Sequence, residues 1–375
     1  MPQTTFRIAS FNVENLFERP KVFNFRDKSV GDALLKRIGD FNAILKKDNY
    51  SNADKTTLLK EFNDGDPANN EKPLKGFIEI REDKGKLWKK SGYKITGVKA
   101  NGKGEWDGAI HFLKAKFSEI GRENTGKVIK SVKADVVCIV EADSLPTLKR
   151  FDSQVLGSRY RYEMLMDGND PRGIDVGLYS KFALGNIRTH MFDGSSNSKT
   201  FSRDCPEYEV LLPNGKSLFM LCNHLKSKGY DYAGTADKRR KKQANAVAEI
   251  LKKYDLNNDW VVVAGDMNDT PDSPALKPLM DVADLHDVLS LQYPNDPNKR
   301  WTYHYKSFDQ IDFVLVSKPL KDKFIKAGVQ RKGMYDLKKI TSANNTIDTE
   351  TQYDSVTHWT DSASDHGAVW AEFNL

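Results

Sequence analysis

No stretch of this sequence comes near the roughly 18 apolar residues that a membrane-spanning helix needs. Its apolar runs, such as 135–140 and 260–264, are only strand-length. Cysteine is scarce, with three in 375 residues. Cys138, Cys205 and Cys222 lie in or near apolar runs, with neither metal-ligand spacing nor the even count of a disulfide framework. They are expected to be buried thiols of a reducing compartment. No basic-then-apolar leader precedes the first apolar run at residues 6–12. That is the expectation for a cytoplasmic protein, and a trimmed secreted form would read the same. There is no internal repeat and no low-complexity tract. With 39% hydrophobic and 29% charged residues, the chain is neither disordered nor fibrous, and it is long enough to bury a large core.

Charge of one sign is in slight excess. The formal net charge of +6 permits a polyanionic partner without requiring one. Its placement is uneven. Seven lysines fall between residues 84 and 103 with no acidic residue among them, alongside Trp88 and Tyr93. Basic residues interleaved with aromatics suit a nucleic-acid backbone and its bases. A plain solvated face is an equally open reading. A second cluster, Lys238-Arg239-Arg240-Lys241-Lys242, opens a helix predicted over 236–254, which would place it at the rim of any cleft formed by the preceding segment.

Periodicity predicts strands at 6–12, 134–140, 174–179, 207–212, 217–223, 260–264, 310–316 and 368–373, with helices at 32–47 and 107–130. Pro213-Asn214-Gly215 signals a hairpin. Residues 77–80, 86–88 and 93–98 read as short strands, and 63–70 as a loop. Strands outnumber helices, so helices covering a large sheet system are the expected architecture.

Polar residues recur just past the ends of the apolar strands. Asn12 and Glu141 end two of them, His224 follows another, Asp266 and Asn268 follow 261–263, Asp312 sits in the strand at 310–316, and Asp365-His366 precedes the last. Strand ends converge on one edge of a sheet, so these residues can share a cleft, although a lone Asp or Asn there is usually a turn residue. Carboxylate and amide oxygens without a cysteine ligand suit a hard cation such as Mg²⁺ or Mn²⁺. Histidines beside carboxylates suit acid–base work. The combination matches phosphate-ester hydrolysis.

The motifs SFNVEN (10–15), VCIVEAD (137–143), RGIDVGLYS (172–180), CNHLKSK (222–228), VVAGDMNDTP (262–271), QIDFVLVS (310–317) and SDHGAVWAEF (364–373) occur in this order. Together they resemble the endonuclease/exonuclease/phosphatase superfamily of the DNase I-like fold. The resemblance covers about 1–19 and 108–375. It implies a four-layered α/β sandwich in which two packed, mixed, mainly antiparallel sheets are flanked by helices. It implies one domain over 1–375, with a lysine-rich α+β insertion at about 20–107. It also implies residue roles. Asn12, Glu141 and Asp365 would hold the metal, Mg²⁺ or Mn²⁺. Asp266 would orient or deprotonate the attacking water, with Asn268 positioning it and contacting the phosphate. His366 would bind the scissile phosphate with Asp312 holding its imidazole. His224 would contact the phosphate, with Asp175 a carboxylate partner for it, and Arg172 would clamp phosphate oxygens. Arg203-Asp204 reads as a structural salt bridge, and Cys222 as a core thiol.

The superfamily spans many phosphoesters, so fold does not settle substrate. GDMNDTPDSP (265–274) lacks the aromatic-Arg continuation of inositol phosphatases and looks more like nuclease versions. A nuclease on DNA or RNA is the leading expectation. A phosphodiesterase or phosphatase acting on a small molecule or lipid head group is the alternative, and a catalytically dead binding module is the third.

Overall fold

In the computed structural model, residues 4–16, 20–23, 25, 27–66, 71–115, 118–170, 173–195, 198–228 and 235–375 are described. The chain divides into two compact units, Met1–Phe17 with Ser118–Leu375, and Glu18–Phe117.

The larger unit is built on two six-stranded sheets. Its strands are, in chain order, β1 (Thr5–Leu16), β2 (Val136–Ala142), β3 (Tyr162–Met166), β4 (Asp175–Ser180), β5 (Leu184–Arg188), β6 (Glu207–Leu211), β7 (Ser217–His224), β8 (Trp260–Asp266), β9 (Leu285–Asp287), β10 (Asp312–Ser317), β11 (Phe324–Gln330) and β12 (Ala368–Asn374). The first sheet runs β11-β12-β1-β2-β4-β3 and the second β9-β10-β8-β7-β6-β5. β1 pairs with β2, and β7 with β8, in parallel, and the other pairs are antiparallel.

The layers follow from residue alternation. Ile8, Val136, Cys138, Met220, Cys222, Val262, Ala264, Val314 and Val316 fill one core between the sheets. Their sequence neighbours face the other way. Ala9, Phe11, Val137 and Ile139 pack against Val128, Ile129 and Val132 of the helix Glu119–Val132. Leu221, Val261, Val263, Phe313 and Leu315 pack against Ala244, Val247 and Leu251 of the helix Thr235–Leu251. Helix, sheet, sheet and helix make four layers. Strands covered on both faces read as continuous apolar runs, which is why 136–140 and 260–264 carry no polar alternation. All three cysteines are buried free thiols, and among the described residues no helix is long and apolar enough to cross a membrane.

The Glu18–Phe117 unit holds helices Lys28–Leu45 and Asn52–Asn63, the latter opened by a capping box between Ser51 and Asp54. Ile78–Gly85 pairs antiparallel with Trp106–Phe112, and between them in the chain a hairpin pairs Trp88–Ser91 with Lys94–Val98. Two expectations are corrected here. Residues 107–130 are not one helix. Trp106–Phe112 is a strand, exposed and covered in alternation, and the helix starts at Glu119, capped by Ser118. The early apolar residues of that window serve a period of two, not 3.6. Trp88 is not available to stack a base, because it is buried against Phe62 with ring centroids 4.9 Å apart.

At the edge of the second sheet, His190 is buried between two carboxylates. Its Nδ1 lies 2.7 Å from Asp193 and its Nε2 2.7 Å from Glu207. Tyr254 donates to the same Glu207 carboxylate. Burial acts to raise the Glu207 pKa, but the bonds from His190 and Tyr254 and the charge of Arg188 bring it down to about 2. Burial likewise acts to lower the His190 pKa, and the two carboxylates outweigh it and raise it. The Glu207 contribution to stability is therefore complete above its ordinary 4.5 and lost as pH falls toward about 2. That of His190 is complete below 6.5 and fades as pH rises through its raised value. Glu207→Gln is expected to cost about 3 kcal/mol in urea unfolding at neutral pH. The gap from wild type should close as pH is lowered from 4.5 toward 2.

Candidate active site

The strand ends that the sequence singles out meet across the gap between the two sheets. Asn12, His224, Asp266 and Asp312 have the same parity as the inner-core residues of β1, β7, β8 and β10, so alternation aims them into that gap. His224, Asp266 and Asp312 are also direct cross-strand neighbours, since His224 pairs with Asp266 and Asp266 with Asp312.

Glu141 breaks the alternation. By parity it would point to the outer layer with Val137 and Ile139. It takes a left-handed backbone conformation, φ 67°, unusual for a residue with a side chain. The ladder skips it, with Val140 opposite Val176 and Ala142 opposite Asp175. This bulge re-aims the side chain. Ala142 then joins the outer core, and the Glu141 carboxylate comes to 3.7 Å from His224 Nε2 on the other sheet.

Two further pairs cross between the sheets. Asn12 Nδ2 donates to Asp266 Oδ2 at 3.0 Å. His366, just before β12, places Nδ1 2.8 Å from Asp312 Oδ2. A carboxylate only accepts, so Nδ1 carries the proton and Nε2 is left facing outward from that bond. The His366 loop is fixed by Ser364, whose hydroxyl donates to the Asn12 carbonyl at 2.7 Å and accepts the His366 N–H at 3.0 Å.

Asp266 is held at both oxygens, its Oδ1 accepting the Asn268 N–H at 2.7 Å. Burial, with Asp312 beside it, pushes its pKa up to about 7. Asn268 is left-handed at φ 55°, a conformation that Asn tolerates, and its amide donates to the Leu225 carbonyl at 3.1 Å. Gly265 has φ 139°, and a Cβ there would meet the Asn223 carbonyl at 1.9 Å, so the GD-x-N turn requires glycine.

The ligand atoms of Asp266, Asp312 and His366 lie within 4.8 Å of one another, compact enough for a cation. Asp312 Oδ1 is buried with no hydrogen-bond partner among the described residues. The set offers carboxylate, amide and imidazole groups and no thiolate. It fits a hard divalent ion. Glu141 and Asp365, with side chains 17% and 23% exposed, are its more open carboxylates.

Not every expected residue joins the cluster. Among the described residues, Glu141 and Asp266 bring carboxylates within 4 Å of His224 Nε2. Asp175 instead accepts the Gly168 N–H at 2.7 Å, and burial pushes its pKa up to about 7. Arg172 lies outside the described residues. Arg203 is buried against Asp170 at 3.0 Å, and Asp204 accepts from Thr189, His190 and Cys205, so both are structural. The 238–242 cluster is divided. Arg240 is fully buried on Asp269 at 2.9 Å and the Lys226 carbonyl at 2.7 Å, while its four basic neighbours are exposed.

Residues 301–304 are missed by sequence reasoning. Tyr303 bridges to His366, with ring centroids 4.9 Å apart. The Thr302 hydroxyl accepts the N–H groups of Ile311 and Asp312, both at 3.1 Å, and its carbonyl accepts that of Gly367 at 2.6 Å. The only signal was a WTYH run between a Pro-Asn segment and the Asp312 strand. Thr302→Val keeps the volume and strands two buried donors. It is expected to lower stability by about 1–3 kcal/mol in urea unfolding.

A family model matches residues 115–366, that of the Endonuclease/Exonuclease/phosphatase family. Similar solved structures include truncated TDP2 of Caenorhabditis elegans, 16% identical, covering 68% of this chain and 91% of that one with a TM-score of 0.46. An AP endonuclease from Archaeoglobus fulgidus is 15% identical, with 67% and 93% covered and a TM-score of 0.46. An endonuclease/exonuclease/phosphatase from Bacteroides vulgatus is 14% identical, with 68% and 91% covered and a TM-score of 0.47. No curated protein matches the sequence.

Proposed function

This chain belongs to the endonuclease/exonuclease/phosphatase family, hydrolases of phosphoester bonds, and we propose that it cleaves phosphodiesters of DNA or RNA with a divalent cation bound. The observation that carries this reading is the convergence of Glu141, His224, Asp266, Asp312 and His366 on one gap, each fixed before substrate arrives. Such preorganisation is what stabilises a charged transition state.

Asp266, anchored at both oxygens by Asn268 and Asn12, takes the proton of the attacking water. The water oxygen bonds to phosphorus as the ester bond to the leaving oxygen breaks. His366, oriented through Nδ1 by Asp312, donates an Nε2–H to a phosphoryl oxygen when its ring carries both protons. His224 offers its ring to the phosphate from the opposite sheet and assists the leaving oxygen. Asn268 keeps one amide hydrogen for the phosphate after donating to Leu225. Asn12, Glu141 and Asp365 would supply the oxygen donors for Mg²⁺ or Mn²⁺, which when bound would polarise the phosphoryl group as a Lewis acid. Asn12 also has a positioning duty, since its amide nitrogen is committed to Asp266 and its oxygen accepts the Glu14 N–H.

The test is an assay on labelled single- and double-stranded DNA and RNA with Mg²⁺, Mn²⁺ or EDTA. Cleavage should need the metal, and His366→Ala, Asp266→Ala and Glu141→Ala should each reduce turnover about 100-fold or more while remaining folded. Activity surviving in Asp266→Ala would refute the mechanism. Mn²⁺ binding followed by electron paramagnetic resonance separates the roles. Glu141→Gln should weaken it at least about tenfold, and His366→Ala should leave it near wild type. The reverse ranking would move the ion to the Asp266, Asp312 and His366 trio.

A further inference from the structure

The net positive charge of the protein sits almost wholly in one unit. Residues 18–117 contain 22 Lys and Arg against 15 Asp and Glu, leaving 36 against 37 for the rest of the chain. The excess is concentrated on the hairpin of Trp88–Ser91 with Lys94–Val98 and its flanks. One side of this hairpin is anchored within the unit. Leu87 and Trp88 are buried, Trp88 lies on Phe62, and Asn63 donates to the Ile95 carbonyl at 3.1 Å. The lysines of the hairpin and its flanks reach solvent. Lys84, Lys86, Lys89, Lys90, Lys94 and Lys99 are all exposed. Lys86 and Lys90 share one carboxylate, Glu82, at 3.6 and 3.7 Å. Lys89, Lys94 and Lys99 have no carboxylate within ion-pair distance among the described residues. Tyr93, at the turn, is fully exposed.

A fold does not gain stability from crowding uncompensated ammonium groups on a small hairpin, nor from a wholly exposed phenol ring at its tip. Both features suit a ligand with repeated negative charge and flat apolar faces. We infer that this hairpin is a second binding surface, which holds an unpaired stretch of polynucleotide. Its lysines lie along successive phosphates and Tyr93 stacks on a base. The inference deepens the nuclease reading and rests on it for the identity of the polyanion. Backbone contact by lysines is independent of sequence, and stacking on Tyr93 favours single strands.

The test uses the full-length chain in EDTA, so that nothing is cleaved, with fluorescent oligo(dT), oligo(U) and a DNA duplex followed by anisotropy over a range of salt. Lys89→Ser, Lys94→Ser and Lys99→Ser combined should raise Kd about tenfold or more and lower the slope of log affinity against log salt by about 2, three single-strand contacts at about 0.7 each. Tyr93→Ala, in a chain otherwise intact, should weaken oligo(dT) or oligo(U) about tenfold and the duplex much less. Comparing the two oligomers shows which polynucleotide is preferred. Unchanged affinity and slope in the triple variant would overturn the inference. So would tighter binding to phosphatidylserine vesicles than to any oligonucleotide. Equal losses on duplex and single strand in Tyr93→Ala would overturn the stacking role. Hydrolysis of bis(4-nitrophenyl) phosphate with Mg²⁺, unaltered in these variants, keeps the two readings apart. Absence of metal-dependent cleavage of any DNA or RNA by the wild type, with the hairpin effects intact, would sink the nuclease reading alone.

Discussion

Everything at the candidate site depends on two apolar sheets being pressed face to face. A strand pair covered on both sides has no freedom of register, because a one-residue slip would exchange its inner and outer side chains. That constraint fixes which residues of β1, β7, β8 and β10 look into the gap. At the ends of those strands the inward position is taken by Asn12, His224, Asp266 and Asp312 instead of a further Val or Cys. The site is the polar rim of the inter-sheet core. Its geometry is as rigid as the packing behind it.

The contacts across the gap all link one sheet to the other: Asn12 to Asp266, Asp312 to His366, and His224 to Glu141. Burying Asp266 and Asp312 side by side is unfavourable, and the cost is offset only in part by backbone N–H groups, an amide and an imidazole. Buried polar groups and a left-handed Glu141 thus concentrate local strain at this rim. The surrounding residues meet that cost locally. Ser364 and Thr302 satisfy the backbone of the loops that carry His366 and Asp312.

Residues 18–117 obey a different logic. Phe41, Phe62 and Trp88 form a small aromatic core that holds the Trp88–Val98 hairpin, and the lysines of that hairpin are exposed. The two units also divide the charge, one nearly neutral and one strongly basic.

Much of this was legible in the sequence. Strands covered on both faces announce themselves as apolar runs, so most strand positions follow from composition alone, and polar residues at their ends nominate Asn12, Glu141, His224, Asp266, Asp312 and His366. The ordered motifs identify the family. Other features depend on partners distant in the chain. The strand at 106–112 looked helical because its apolar spacing fits both periods until β pairing with 78–85 decides it. Trp88 and Arg240 sat in basic runs that read as surface, yet each side chain turns inward to a partner more than 25 residues away. The resemblance pairs Asp175 with His224, but Asp175 closes on the Gly168 loop instead. Thr302 and Ser364 carry no local signature, since their value lies in backbone groups brought to them by folding. The sequence by itself determined which residues are apolar on both strand faces, and hence the sheets, the family and the candidate chemistry. Only the tertiary structure decided which polar side chains touch, because a bulge at Glu141 and the meeting of two sheets are properties of packing between segments that no local pattern encodes.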